Sequence, residues 1–186
     1  MNLRPDQLAA RLQSRFDENF SDRGELGAAL SIWHRGESVL ELAGGYRDAR
    51  REMPWTNDTL VLLWSATKGL GSACLLHLLQ EREISLERRV AEFWPEFGEA
   101  GKEQITLAQL LSHQAGLCAL DEVVEVTDYA AVVRALEKQK PLWPPGTAHG
   151  YHARTFGFLV QELLRRIGSR SVAEYWRASF AEPLQL

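Results

Sequence analysis

The chain has 186 residues, 21 Lys and Arg against 25 Asp and Glu, a formal charge of −4 and 45% hydrophobic residues. A chain of this size and balance buries about 70% of its unfolded surface in one core and needs neither a disulfide framework nor a metal staple. The slightly acidic charge excludes an extended phosphate-tracking surface, which requires clustered Lys and Arg, so nucleic acid is not an expected partner. Two cysteines, Cys74 and Cys118, without a CxxC spacing, point to a reducing compartment and away from zinc. No signal-peptide h-region opens the sequence and no membrane-length apolar run follows. The expectation is a cytoplasmic protein without a membrane span.

Leu8, Leu12, Phe16 and Phe20 recur every four residues after Pro5, which predicts an amphipathic helix over the first twenty residues that packs on a sheet. Residues 27–33 and 38–42 then flank His34-Arg35-Gly36-Glu37 and read as a β-hairpin. From Leu60 to Gln80 the pattern is almost wholly apolar, but Ser65, Thr67, Lys68, His77 and the glycines favour a buried core helix with Ser65 at its N-terminus. Further helices are predicted over 105–112, 128–138, 155–167, stopped by Gly168, and 171–182. Trp143-Pro144-Pro145-Gly146 reads as a rigid turn, and no repeat, low-complexity tract or charge block marks a linker.

Chemistry concentrates first at Ser65-Ala66-Thr67-Lys68, because a spacing of three brings two side chains onto one helix face. A serine hydroxyl needs a base to become a nucleophile. An apolar helix and its positive N-terminal end both disfavour an ammonium there, which suits a lysine acting as that base in a dry pocket. The alternative is structural: Ser65 as an N-cap and Lys68 reaching to solvent. A Ser-x-x-Lys match occurs by chance about once in a chain this long, but a lysine in the first turn opposes the helix dipole and breaks the capping rule. The second cluster is Gly150-Tyr151-His152, where a tyrosine could shuttle a proton to a leaving group or simply fill the core. His149 and His152 are second candidates, for substrate binding, with structural roles as the alternative. The segment 110–117 reads as a helix C-terminus, with Gly116 in the left-handed conformation and His113 near the last carbonyls. Ser112 and His113, being adjacent, point apart. There is no Gly-x-Ser-x-Gly elbow, His-Glu-x-x-His, phosphate loop or dinucleotide fingerprint.

Taken in order, the hairpin, Asn57-Asp58-Thr59, Ser65-Ala66-Thr67-Lys68, the segment from Ile105 to Leu117, Pro145-Gly146 and Gly150-Tyr151-His152 resemble the serine β-lactamase-related family, and within it the class C-like esterase branch. The resemblance implies an α+β, helix-rich β-lactamase/transpeptidase-like fold. It casts Ser65 as the acylated nucleophile, Lys68 as its proton acceptor and Tyr151 as the group that protonates the leaving group and activates water, with no cofactor. Members that hydrolyse β-lactams carry Tyr-x-Asn, whereas the third position here is Ala153, and the surrounding phrase looks more like esterases, which implies a small carboxylic-ester substrate. The resemblance also implies a truncated arrangement. Residues 1–186 would form one incomplete domain, with 1–60 supplying an N-terminal helix and hairpin and 61–186 a helical lobe. The C-terminal strands and the third motif would be missing, and an unpaired sheet edge would be left as a template for self-association. The other readings are a β-lactam or D-alanyl-peptide hydrolase and a catalytically impaired binding protein.

Overall fold

A computed structural model describes residues 5–186. The chain divides into two compact units, one ending at Leu62 and the other spanning Leu63–Leu186.

In the first unit, helix α1 (Pro5–Ser21) precedes strands β1 (Gly27–His34) and β2 (Glu37–Gly45). The strands pair antiparallel from Gly27 opposite Gly45 to His34 opposite Glu37, with a register shift between Ile32 and Trp33. Arg35 and Gly36 both have positive φ, 54° and 82°, so two residues close the hairpin in the geometry whose twist matches the strands. Phe16 and Phe20 meet edge to face at 5.1 Å. A Cβ on Gly44 would come within 3.1–3.2 Å of both rings, so glycine lets the helix lie close on β2. Among the described residues the sheet has these two strands.

The second unit is helical. A 3₁₀ turn (Trp64–Ala66) leads into α2 (Thr67–Glu81), followed by short 3₁₀ turns at Val90–Glu92 and Pro95–Gly98. Then come α3 (Leu107–Leu111), α4 (Tyr129–Lys138), α5 (Thr155–Gly168), α6 (Val172–Trp176), a π-helical turn at Arg177–Ala181 and α7 (Glu182–Leu184). Three of these helices start on side chains that cap free N–H groups: Thr106 with Gln109 in a reciprocal box, Asp128 on Ala131, and Ser171 with Glu174 in another box. The core is built on α2 against α5. Gly71, Cys74, Leu75, Leu78 and Leu79 form the buried face of α2, and Leu159, Val160, Leu163 and Leu164 are buried on α5. Each fully buried leucine contributes about 1.5–3 kcal/mol.

The apolar stretch from Leu60 differs from the sequence expectation. Residues 60–63 have no helical structure, and Leu60 and Trp64 are 96% and 79% exposed. The helix begins at Thr67 and buries one face, leaving Leu70 and Leu76 partly exposed. Composition alone overstated burial because it registers apolarity and not what covers it. The stop after α5 also falls one residue later than expected. Gly168 remains helical, where a Cβ would sit 2.9 Å from Leu78, and Ser169 takes the left-handed conformation at φ 55°. Among the described residues no helix is long and apolar enough to cross a membrane.

Candidate active site

The serine sits in the single 3₁₀ turn ahead of α2 and is exposed. Trp64, immediately before it, has φ 47°, a conformation costly for a bulky side chain. Ser65 does not cap the helix; Ala66 holds the N-cap position and no side chain bonds there. The capping alternative therefore loses its basis. Lys68 lies one turn on, and its Nζ donates to Ser65 Oγ at 3.3 Å. The same Nζ lies 5.0 Å from the ring centroid of Tyr151. The Tyr151 phenol is held below the usual tyrosine range, first by hydrogen bonding to Ser65 and next by hydrogen bonding to Lys68.

Ser65, Lys68 and Tyr151 thus converge, although Tyr151 lies 86 positions from Ser65 in the chain. The surroundings are wetter than the sequence suggests: Ser65 is exposed, Lys68 half-buried and Tyr151 51% exposed. An apolar run predicts a dry site only if something lies over it, and residues 60–64 are themselves exposed. Beside Lys68 opens a pocket of about 330 Å³, whose walls include Trp64, Gly71, Phe156 and Val160. A second pocket of about 420 Å³, lined mainly by apolar residues such as Val123, Val132 and Phe158, shares Ala153 and Arg154 with the first. Among the described residues no cluster of His, Cys, Asp or Glu could hold a metal ion.

The two histidines expected to bind substrate differ in setting. His152 is fully buried, and its Nε2 accepts from the Leu117 N–H at 2.9 Å. An imidazole that accepts at Nε2 while neutral carries its proton on Nδ1, which donates to the Gly150 carbonyl at 2.6 Å. Both ring nitrogens are committed to backbone, so His152 ties the Leu117 and Gly150 segments together. His149 is exposed, and its charged form disfavours a charged His113.

His113 is the residue that reading along the chain undervalued. It ends α3 in the left-handed conformation, φ 62°, where glycine was expected at 116. Gly116 is also left-handed, at φ 74°, in a later turn where a Cβ would meet Pro141 and Trp143 at 2.9 Å. The His113 ring meets the Tyr151 ring edge on, with centroids 5.2 Å apart. The available signal was that histidine, like Asn and Asp, is enriched at positive φ.

A serine aligned with a lysine and a phenol of lowered pKa is an arrangement for acyl transfer. The chain belongs to the β-lactamase family, whose model matches residues 12–186. The family is one of serine hydrolases that includes esterases and β-lactamases. Among the relatives is the esterase/β-lactamase LipL of Mycobacterium tuberculosis, 35% identical over 173 residues, which represent 91% of this chain and 40% of that protein. Two solved structures extend the comparison. A penicillin-binding protein homologue from Caulobacter crescentus superposes with a TM-score of 0.90 at 38% identity, covering 95% of this chain and 48% of that one. A family VIII carboxylesterase superposes with a TM-score of 0.86 at 40% identity, covering 95% of this chain and 49% of that one. The fold is therefore β-lactamase/transpeptidase-like, and the chain spans less than half the length of these relatives.

Proposed function

We propose that the chain carries the acylating machinery of a serine hydrolase acting on carboxylic esters. Ser65 Oγ attacks the ester carbonyl as its proton passes to Lys68, and the Ser65 backbone amide helps to hold the developing oxyanion. Proton transfer through Lys68 and Tyr151 lets the alcohol depart, leaving an acyl-serine. Tyr151 then takes a proton from the attacking water while passing its own to Lys68, the acyl–Oγ bond breaks as the acid leaves, and Lys68 returns the proton to Ser65 Oγ. No cofactor takes part.

The observation that carries this reading is the Lys68 Nζ placed 3.3 Å from Ser65 Oγ, beside the Tyr151 ring. Ester preference is supported by Ala153, which offers no side-chain amide where Tyr-x-Asn members carry asparagine, and by the relatives described as esterases. We place the reaction in the cytoplasm, which the free thiols of Cys74 and Cys118 favour, and assign residues 1–186 to one incomplete domain. The hairpin edges, unpaired among the described residues, are a candidate surface for self-association. The test is labelling with a fluorophosphonate and mapping of the adduct by mass spectrometry. One adduct on Ser65, absent in Ser65→Ala, is expected; no adduct, either on this chain or on a longer protein containing it, overturns the reading. A β-lactam substrate is the second reading, because LipL is described as both esterase and β-lactamase. Faster turnover of a chromogenic cephalosporin than of short nitrophenyl esters would select it.

A further inference from the structure

Tyr151 sits in the middle of a three-residue loop, and both ends of that loop are tied to one residue. The Gly150 N–H donates to the His113 carbonyl at 3.1 Å. The His152 N–H donates to His113 Nδ1 at 3.2 Å. His113 thus brackets Tyr151 through its backbone on one side and its side chain on the other, while its ring rests against the Tyr151 ring at 64°. The left-handed backbone at His113 is what lets a single residue reach both ends.

An Nδ1 that accepts a hydrogen bond carries no proton, so His113 is in the neutral form with its proton on Nε2. His152 holds the opposite tautomer, since its Nε2 accepts from Leu117. The loop is therefore held by two neutral imidazoles, each engaged to backbone. The titratable groups facing His113 are Lys68 on α2 and His149, Tyr151 and His152 on the loop; Phe156 on α5 is uncharged. Burial, then the charges of Lys68 and His149, hold its pKa below the usual histidine range, which keeps the accepting form in place at neutral pH.

We propose that His113 is a positioning residue for Tyr151: its Nδ1 and carbonyl fix the Gly150–His152 loop so that the phenol stays within reach of Ser65 and Lys68. The proposal rests on the acyl-transfer reading for its consequence in catalysis, but the placement of the phenol can be measured by itself. In His113→Phe the ring is kept and the Nδ1 acceptor is lost. In His113→Asn the amide oxygen stands close to where Nδ1 was, and asparagine tolerates positive φ.

The primary readout is the titration of Tyr151, followed by NMR of the chain labelled with ¹³C at tyrosine Cζ and assigned with Tyr151→Phe. His113→Phe is expected to move the Tyr151 pKa up towards the free-tyrosine value of about 10 as the phenol leaves Ser65 and Lys68. It should also slow fluorophosphonate labelling of Ser65 by about tenfold to a hundredfold, the scale of a one-ångström misplacement. His113→Asn should restore both, with labelling within about threefold of the parent, a rescue that general loosening of the fold would not produce. If His113→Phe does not fold, His113→Gln, whose amide lies one bond too far along the chain, takes its place. An unmoved Tyr151 titration, or equal damage in the Phe and Asn variants, overturns the proposal. Failure of the parent chain to label at Ser65 counts against the esterase reading instead, and the tyrosine titration still decides the role of His113.

Discussion

Two of the lysines in the helical unit, Lys68 and Lys102, stand in opposite settings. Lys102 is fully buried, and its Nζ donates to the carbonyls of Glu99, Glu137 and Gln139 at 2.8, 2.9 and 2.7 Å. Three donors meet three acceptors, so the ammonium is saturated. Burial pushes its pKa down, and the carboxylates of Glu99, Glu103 and Glu137 act against that. Lys68 faces hydroxyls instead, those of Ser65 and Tyr151. Backbone carbonyls can hold a proton donor but cannot exchange protons with it, whereas a serine and a phenol can. The same residue type is thus a fastener in one place and a candidate base in the other, and the partner's chemistry makes the distinction.

Substituting each lysine by methionine, which approximates its shape, tests that contrast most directly. Lys68→Met should slow phosphonylation of Ser65 by about 10²- to 10⁴-fold, the span expected on losing a general base. Its urea midpoint should stay close to the parent's. Lys102→Met should do the reverse. It strands the carbonyls of Glu137 and Gln139, while the Glu99 carbonyl keeps the Lys102 backbone N–H; at about 1–3 kcal/mol for each unpaired group the expected total is about 2–6 kcal/mol by urea denaturation. The folded variant should label at the parent rate. Equal damage to labelling from both substitutions would erase the distinction.

A buried carboxylate extends the fastener side of the comparison. Glu162 on α5 is 1% exposed. Burial alone would raise its pKa, but hydrogen bonds from Arg165, Arg166 and Tyr129 outweigh burial and hold it at about 2, against an ordinary 4.5. A depressed carboxyl stabilises the fold fully above the unfolded value and loses that contribution as pH falls from about 4.5 through about 2, an expected loss of about 3 kcal/mol. Urea midpoints across that window should fall more steeply for the parent than for Glu162→Gln, which has no carboxyl to titrate there.

These regions also differ in how legible they were. The Ser65–Lys68 pair is local, three positions apart, and a helical period suffices to join them. Asp128 and Ser171 likewise announce α4 and α6 by capping chemistry within one turn. Tyr151 is another matter: nothing in the periodicity links it to Ser65, the residues alone left it as a proton shuttle or a core aromatic, and the family resemblance gave it a role. The burial of His152 was not legible either, because its partner, the Leu117 N–H, lies 35 positions away and leaves no local trace. The end of α3 at His113 rather than Gly116 has the same origin. Histidine tolerates the left-handed conformation there, and its bonds to Gly150 and His152 are contacts across more than thirty residues. Periodicity reports which residues favour a helix, and it cannot report which of them end up covered.

The stretch ahead of the serine gives the smallest expected effect and a sharp one. A buried helix over 60–80 would place Leu60 and Leu62 in a core, where truncation costs about 2–5 kcal/mol each. Their observed exposures are 96% and 74%, so Leu60→Ser with Leu62→Ser should shift unfolding by no more than about 0.5 kcal/mol. Leu75→Ala, at a fully buried position on α2, is the matched control at about 2–5 kcal/mol. A large loss from the serine pair would mean that these leucines are covered in solution. The turn carrying Trp64 and Ser65 would then be held by its apolar neighbours, and the approach of Lys68 to Ser65 would depend on that packing as well as on the three-residue spacing.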